Sequence, residues 1–247
     1  MPRAASERRW REAWRLAPEV GLLARNEAEL EALAASLPGQ GHQALVADVG
    51  DRAEVLRAAQ GFGRTDVVVA NAGVADYGPY IALDPEAEER MTRVNWLGTL
   101  YTVRAVLPQM IERGRGHVVI VSSGAALRTF PEAAVYGATK AAQRGFSEAL
   151  RHELKGTGVS VTTVYPGEIK SHLHDHERDT MPAWYRKDDA VDPDGLVAKV
   201  IEGIEADKRG VYHPPIVRLL RIVHGVSPRG GDLMLRALRG KSAAPRP

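Results

Sequence analysis

Between Val20 and His213 the chain repeats one pattern: a short run of β-branched and aliphatic residues, then a stretch of helical spacing, then another short run. Most of these runs lack the polar alternation of a half-solvated strand. Both faces of each strand must therefore be covered, as in a parallel sheet whose crossover connections are helices. The runs are "VGLLA" (20–24), "HQALVADV" (42–49), "DVVVAN" (66–71), "HVVIVSS" (117–123), "VSVTTVY" (159–165) and "GVYH" (210–213). The first helix starts behind Asn26 as its N-cap, places Leu30, Leu33 and Leu37 on one face, and stops before Gly39. Two longer helices are predicted over 84–114 and 131–155. No internal repeat or low-complexity linker divides the pattern. The expectation is one α/β domain over 1–247, a doubly wound parallel sheet with helices on both faces.

The pattern lacks its beginning. A doubly wound nucleotide-binding sheet opens with an apolar strand, a glycine-rich turn and a helix whose N-terminus faces phosphate. Here the first clear strand, "VGLLA", runs into Arg25 and an acidic helix, so it reads as the second strand of such a unit. The chain has 24 glycines, yet none precedes Gly21. Residues 1–19 thus read as an aberrant segment in which the first strand and its glycine-rich loop are lost or replaced. Trp10 and Trp14 each have a single codon, which fixes several bases of the underlying gene. With GC-rich codons, a shifted frame across them can spell G-I-G-A-A-L-A-R-G-L-A-A-R, a glycine-rich turn leading into a helix. A frame error resolved by about Val20 is the resulting expectation, and resequencing of the locus tests it.

Composition narrows the chemistry. The chain has no cysteine, which excludes disulfides, thiolate zinc sites, iron–sulfur clusters and cysteine nucleophiles. No apolar run approaches the roughly 18 residues of a membrane span, and the first twenty residues hold no signal-like apolar block. A cytoplasmic location is the expectation. The net charge of +2 conceals a gradient: residues 207–247 carry nine Lys/Arg against Asp207 and Asp232, leaving the remainder at −5. Within the region 214–247, Ile216, Leu219, Leu220 and Val223 share a face beside Arg218 and Arg221. Such a basic amphipathic segment suits a membrane surface, a dimer partner or the substrate entrance, and a solvated helix is the plainer alternative. No nucleic-acid partner is expected.

The sharpest chemical signal is Tyr136-Gly-Ala-Thr-Lys140. Positions i and i+4 of a helix lie on one face, so phenol and ammonium project to the same side, and a neighbouring cation favours the ionised phenol. Ser123 ends the strand "HVVIVSS", at the sheet edge where open α/β sheets bind ligands. Tyr165-Pro166-Gly167 follows the next strand, with Ile169 and Ser171 just beyond; Asn71-Ala72-Gly73 ends an earlier strand, and Asn95 lies within a long helix.

In sequence order, "ANAG", "NWLG", "SSGAALRTFPEAAVYGATK" and "YPGEIKS" resemble the motifs of the short-chain dehydrogenase/reductase family. The likeness covers roughly residues 20–213. It implies a Rossmann-type fold and an NAD(P)-dependent oxidoreductase acting on a small or lipophilic carbonyl or secondary alcohol. The implied catalytic residues are Asn95, Ser123, Tyr136 and Lys140. Ser123 would donate a hydrogen bond to the carbonyl oxygen while Tyr136 delivers the proton as general acid. Lys140 would lower the phenol's pKa and hold the nicotinamide ribose. Asn95 would kink its helix and link Lys140 to solvent through an ordered water, or serve the kink alone.

The resemblance also places the cofactor. Arg25 after the second strand, where an acid would favour NAD, points to the 2′-phosphate of NADP(H), with a plain helix-flanking arginine as the alternative. Asp48 and Val49 match adenine contacts, and Asn71, Ala72 and Gly73 the adenosine-side turn. Pro166, Gly167, Ile169 and Ser171 match the nicotinamide-side loop, while Tyr136 and Lys140 reach the ribose. Residues 172–190 match a substrate lid, in which Met181, Trp184 and Tyr185 could close over an apolar substrate. His172, His174 and His176 fall in the same stretch, and no metal site is expected. The family usually forms homodimers or homotetramers through its two long helices. The rival expectation is a catalytically impaired relative or binding module that lacks the dinucleotide loop.

Overall fold

A computed structural model describes residues 18–170 and 190–239. Six strands form at the six predicted runs: β1 (Gly21–Ala24), β2 (Gln43–Val46), β3 (Val67–Ala70), β4 (Gly116–Val121), β5 (Val159–Pro166) and β6 (Gly210–His213). Every pairing between them is parallel. The helices are α1 (Glu27–Ser36), α2 (Arg52–Phe62), α3 (Pro85–Met91), α4 (Gly98–Glu112), α5 (Ala134–Glu153), α6 (Pro193–Glu205), α7 (Pro215–Val226) and α8 (Pro228–Arg239).

The strands sort into two sheets, β1 beside β2 and the four-stranded β3-β4-β5-β6. Among the described residues, β1, β2, β3 and β6 each keep one edge without a strand partner. The two sheets are tied together by α2: Ala59 packs into the core formed by α4, α5, β4 and β5, and Gln109 of α4 bonds the Thr65 N–H and the Gly63 carbonyl beyond the end of α2. The strand and glycine-rich turn that the sequence pattern calls for before β1 would fall in 1–19. Residues 1–17 lie outside the described residues, as does the shifted-frame expectation.

Alternation along β4 puts helices on both faces. Val118 and Ile120 point to one side, where Val103, Val106 and Met110 of α4, Leu150 of α5 and its C-cap Leu154 close over them. Val119 points to the other side and meets Val164, Val211 and Ile204 of α6. Each such side chain, fully buried, contributes about 1.5–3 kcal/mol.

Three local expectations change. Of the apolar face read on α1, Leu30 is buried, Leu33 is 47% exposed and Leu37 is only the C-cap, because α1 has two strands beneath it rather than a full sheet. The predicted helix over 84–114 is interrupted by a π-helical turn at Thr92–Leu97. There the Asn95 carbonyl accepts from Thr99 Oγ1 and Gln143 Nε2, each at 2.8 Å. The helix predicted from 131 begins at Ala134, because Glu132 takes φ +67°, which a helix cannot contain. No helix among the described residues is long and apolar enough to cross a membrane.

Candidate active site

The site grows from the carboxyl end of β4. Ser123 leaves the strand extended and caps a single 3₁₀ turn, Gly124–Ala126, its Oγ accepting from Ala125 N at 3.1 Å. Thr129 Oγ1 donates back to Ala125 O at 2.9 Å, which folds the loop against the first turn of α5. Gly137 makes this approach possible, since a Cβ there would meet Thr129 Cγ2 at 2.2 Å. The residue between Tyr136 and the rest of its motif is therefore small for a packing reason.

That approach brings the Ser123 hydroxyl beside the Tyr136 phenol. One turn along, Lys140 stands with Nζ 5.8 Å from the Tyr136 ring centroid. Both side chains are buried, as the shared helix face requires. Burial pushes the Tyr136 phenol above its ordinary range, and the Ser123 hydroxyl offsets only part of that rise. Burial also draws the Lys140 ammonium from 10.5 down to about 8, which leaves it mostly charged at neutral pH. Its Nζ donates to Val121 O at 3.1 Å, and its backbone carbonyl accepts from Ser122 Oγ at 2.8 Å. An ammonium has three donors. Among the described residues only the Val121 bond is made by Nζ, so the group retains capacity for a hydroxyl-bearing ligand.

Asn95 anchors the opposite wall. Its Oδ1 accepts from Val74 N at 2.8 Å, and its Nδ2 donates to Val74 O at 2.9 Å and to Thr139 Oγ1 at 3.0 Å. The amide thus imitates a strand partner for the loop that follows β3. This sets Gly73 beside the lysine: a Cβ on Gly73 would lie 3.4 Å from both Lys140 Nζ and Asn95 Oδ1. Asn71 and Ala72, just before it, are exposed.

The other predicted residues surround this centre at different removes. Pro166 ends β5 next to the Ser123 turn and Gly167 follows it; a Cβ on Gly124 would lie 3.3 Å from Pro166 O, and Gly167 N donates to His213 O at 2.7 Å. Ile169 bridges to Val191, so the two stems of the segment between them meet beside the site. Ser171 and the lid positions up to 189, with His172, His174 and His176, lie outside the described residues. Asp48 Oδ1 accepts from Gly50 N at 2.8 Å, and Val49 packs on the first residue of α4, Gly98. Arg25 is exposed in a cleft shared with Asn26, Glu27, Ala28 and Glu31, which does not reach the tyrosine. No cluster of metal-ligating side chains occurs among the described residues.

Sequence reading passed over several residues that shape the centre. Thr139 and Gln143 hold Asn95 from α5, and they lie three and seven residues beyond Tyr136, on the face that carries Lys140. Helical spacing alone could have found them. Tyr77 packs its ring edge-on to Tyr136 at 5.7 Å and lies 5.9 Å from Phe130. Nothing in the local sequence around Tyr77 announces that contact.

Comparison with known proteins agrees with the fold. An uncharacterized oxidoreductase of Myxococcus xanthus is 45% identical over 130 residues, which is 53% of this chain and 51% of that protein. The chain's matches span about half to two thirds of the length of the curated relatives. A short-chain dehydrogenase of Sphingobium yanoikuyae, solved with NADPH, shares the fold with a TM-score of 0.76 at 24% identity, covering 98% of this chain and 94% of that one. A 3-oxoacyl-[acyl-carrier protein] reductase of Brucella melitensis, solved with NAD, is 27% identical with a TM-score of 0.66, covering 80% of each chain. The family profile described as short chain dehydrogenase matches residues 11–182, well over half of the sequence, and this chain belongs to the short-chain dehydrogenase family.

Proposed function

We propose that the chain interconverts a carbonyl and a secondary alcohol with a nicotinamide dinucleotide, and that it prefers NADP(H). The observation that carries this reading is the Ser123–Tyr136–Lys140 cluster, a buried phenol with the half-buried Ser123 hydroxyl beside it and an under-used buried ammonium one helical turn away. The residues present fit the nicotinamide-ribose end of the cofactor. Lys140 Nζ has donors to spare, and the bare surface at Gly73 leaves room beside it. Pro166, Gly167, Ile169 and Ser171 would hold the nicotinamide side, with Asn71, Ala72, Gly73, Asp48 and Val49 on the adenosine side. When bound, the cofactor supplies or accepts the hydride.

In the reductive direction negative charge develops on the substrate oxygen. The Ser123 hydroxyl donates to that oxygen and Tyr136 gives it the phenolic proton. Burial keeps the phenol protonated at neutral pH, ready to act as the acid, and the charged Lys140 stabilises the phenolate left behind. Asn95 positions the wall through Val74. Its main-chain carbonyl already accepts from Thr99 and Gln143, so a water linking Lys140 to solvent there would displace one of them or share the oxygen. Tyr77 and Phe130 line the tyrosine with aromatic surface, which favours an apolar group on the substrate.

The NADP preference rests on Arg25, whose guanidinium suits a 2′-phosphate; Glu27 and Glu31 in the same cleft oppose it in part. Pairing of two copies through α4 and α5 belongs to the same reading. A second reading, a binding module without turnover, is favoured by one observation. The sequence has no glycine before Gly21, whereas a pyrophosphate would need a tight turn of backbone N–H groups. Titration with NADPH, followed by nicotinamide fluorescence, separates the two. Tight binding with carbonyl-dependent oxidation supports the enzyme, and Tyr136→Phe should then cut turnover by about 10²–10⁴-fold while leaving cofactor affinity nearly unchanged. Undiminished turnover in that variant removes Tyr136 from the proton step; no binding by folded protein supports the module.

A further inference from the structure

We propose that the outer faces of α7 and α8 form a docking surface for an anionic lipid bilayer. The inner face of α7 is spent on the fold: Val217 and Leu220 are buried, with Val217 packed on Ala126, Leu127 and Tyr165. A second apolar stripe remains outside. Ile216, Leu219, Ile222 and Val226 recur every three or four residues and are 38%, 48%, 54% and 85% exposed. On α8, Leu233 is 65% exposed and stands between Arg229 and Arg236, four residues before it and three after, on one helix face.

The charge around these side chains has one sign. Residues 215–239 hold five arginines and a single acid, Asp232. That acid is already bonded by Arg128, at 2.6 Å from Nη2 and 2.8 Å from Nε. Arg221 is engaged with the Tyr212 hydroxyl and ring, whereas Arg218, Arg229 and Arg236 are exposed with no acid partner in α7 or α8. Exposed aliphatic side chains with arginines beside them match acyl chains under anionic headgroups. A second copy of the chain fits less well, since a two-fold contact would bring like charges together over the same stripe with no acid to pair them. A nucleic acid fits less well too, because the exposed stripe offers no aromatic platform for bases. Seven Lys/Arg against two acids over residues 207–239 would turn this end of the molecule toward a negative surface.

Co-sedimentation of the purified chain with phosphatidylcholine vesicles containing about 30 mol% phosphatidylserine, against phosphatidylcholine alone, tests the surface. The expected result is binding to the anionic vesicles only, and weakening as salt shortens the Debye length from about 10 Å at 0.1 M to about 3 Å at 1 M. Arg229→Glu should lower the partition coefficient by about fivefold or more. Leu219→Glu combined with Ile222→Glu should abolish binding with an unchanged circular dichroism spectrum. Should that pair unfold the protein, Val226→Glu takes its place at the most exposed position of the stripe. Absence of sedimentation at low salt, or undiminished binding by the stripe variants, overturns the proposal. So does a dimer in light scattering that the stripe variants split while vesicles are ignored, which would assign the face to a second copy.

Discussion

The four-stranded and two-stranded sheets are made of similarly apolar strands, yet they bury them to different depths. In β4, Gly116 through Ile120 are all buried, whereas neither β1 nor β2 contains one fully buried residue. β3, the edge strand of the larger sheet, lies between these extremes, with Val69 half exposed. Burial therefore follows the neighbours a strand has rather than its own composition. β4 has a strand on either side and helices on both faces; β1 has one strand and an open edge. The proposed chemistry sits entirely on the dense side, at the ends of β4 and β5 and on α5. The cleft at Arg25 sits on the thin side. A two-stranded sheet is marginal by itself, so the grip on the adenosine end should be the weaker and more mobile part of the site.

The largest effect that could break this comparison is a cavity in each half. Met110 is fully buried between α4 and β4, and Met110→Ala should cost about 2–5 kcal/mol of global stability in denaturant melts. Leu30→Ala, on the inner face of α1, should cost less and should speed amide exchange in β1 and β2 while leaving β4 and β5 protected. Equal global losses from both variants would mean that the two sheets unfold as one unit.

The same contrast explains what could be read from the sequence. All six strands were legible, because an apolar run between turn residues needs no knowledge of its neighbours. The outward face of α1 was not: Leu33 has the spacing of a core residue, and only the missing cover leaves it exposed. Ser123, Tyr136 and Lys140 were legible from spacing and motif together. The break at Thr92–Leu97 was hidden, since it depends on Thr99 and, 48 residues away, Gln143 bonding the Asn95 carbonyl. Long-range hydrogen bonds of this kind leave no local signature.

A dense half can carry a strained group, and Lys140 tests whether it does. Its ammonium is buried with a carbonyl for its one hydrogen-bond partner among the described residues, and burial lowers its pKa from 10.5 to about 8. Below about pH 8 the folded protein bears the full cost of the buried charge. Between about pH 8 and 10.5 the folded lysine is neutral while the unfolded one still binds a proton, so stability should rise with pH. Tyr136, pushed above its ordinary 10.0, acts in the opposite sense at higher pH, which confines the rise to about pH 8–10. Lys140→Met should therefore remove activity yet raise stability at pH 7, by up to about 3 kcal/mol, and flatten that pH dependence. A loss of stability would show that the ammonium has partners that compensate its burial.

Asn95→Ala should cost about 1–3 kcal/mol, since it leaves the Val74 N–H and carbonyl without their partner. Asn95→Asp separates position from charge, because the carboxylate still accepts from Val74 N but cannot donate to Val74 O. If Asn95 acts by holding the wall, both variants should raise the KM for cofactor together with lowering kcat, and the pH profile should keep its shape. A shifted profile with unchanged KM would instead place Asn95 in the proton path.

The smallest expected effect compares two helix caps. Asn26 caps α1 by accepting from Glu29 N at 3.3 Å, and Asp51 caps α2 by accepting from Ala53 N at 2.7 Å and Glu54 N at 3.0 Å. Those backbone bonds hold the Asp51 carboxyl below its usual range. Replacing such a cap by alanine costs about 0.5–2 kcal/mol of helix stability. The two helices differ in what they join, since α2 packs into the dense core through Ala59 whereas α1 packs chiefly on β1 and β2 among the described residues. Asp51→Ala should accordingly lower the global melting temperature. Asn26→Ala should leave it nearly unchanged and show instead as faster exchange in α1 and a weaker affinity for NADPH. If both caps lower the global melt equally, the thin sheet is as firmly coupled to the core as β4 itself.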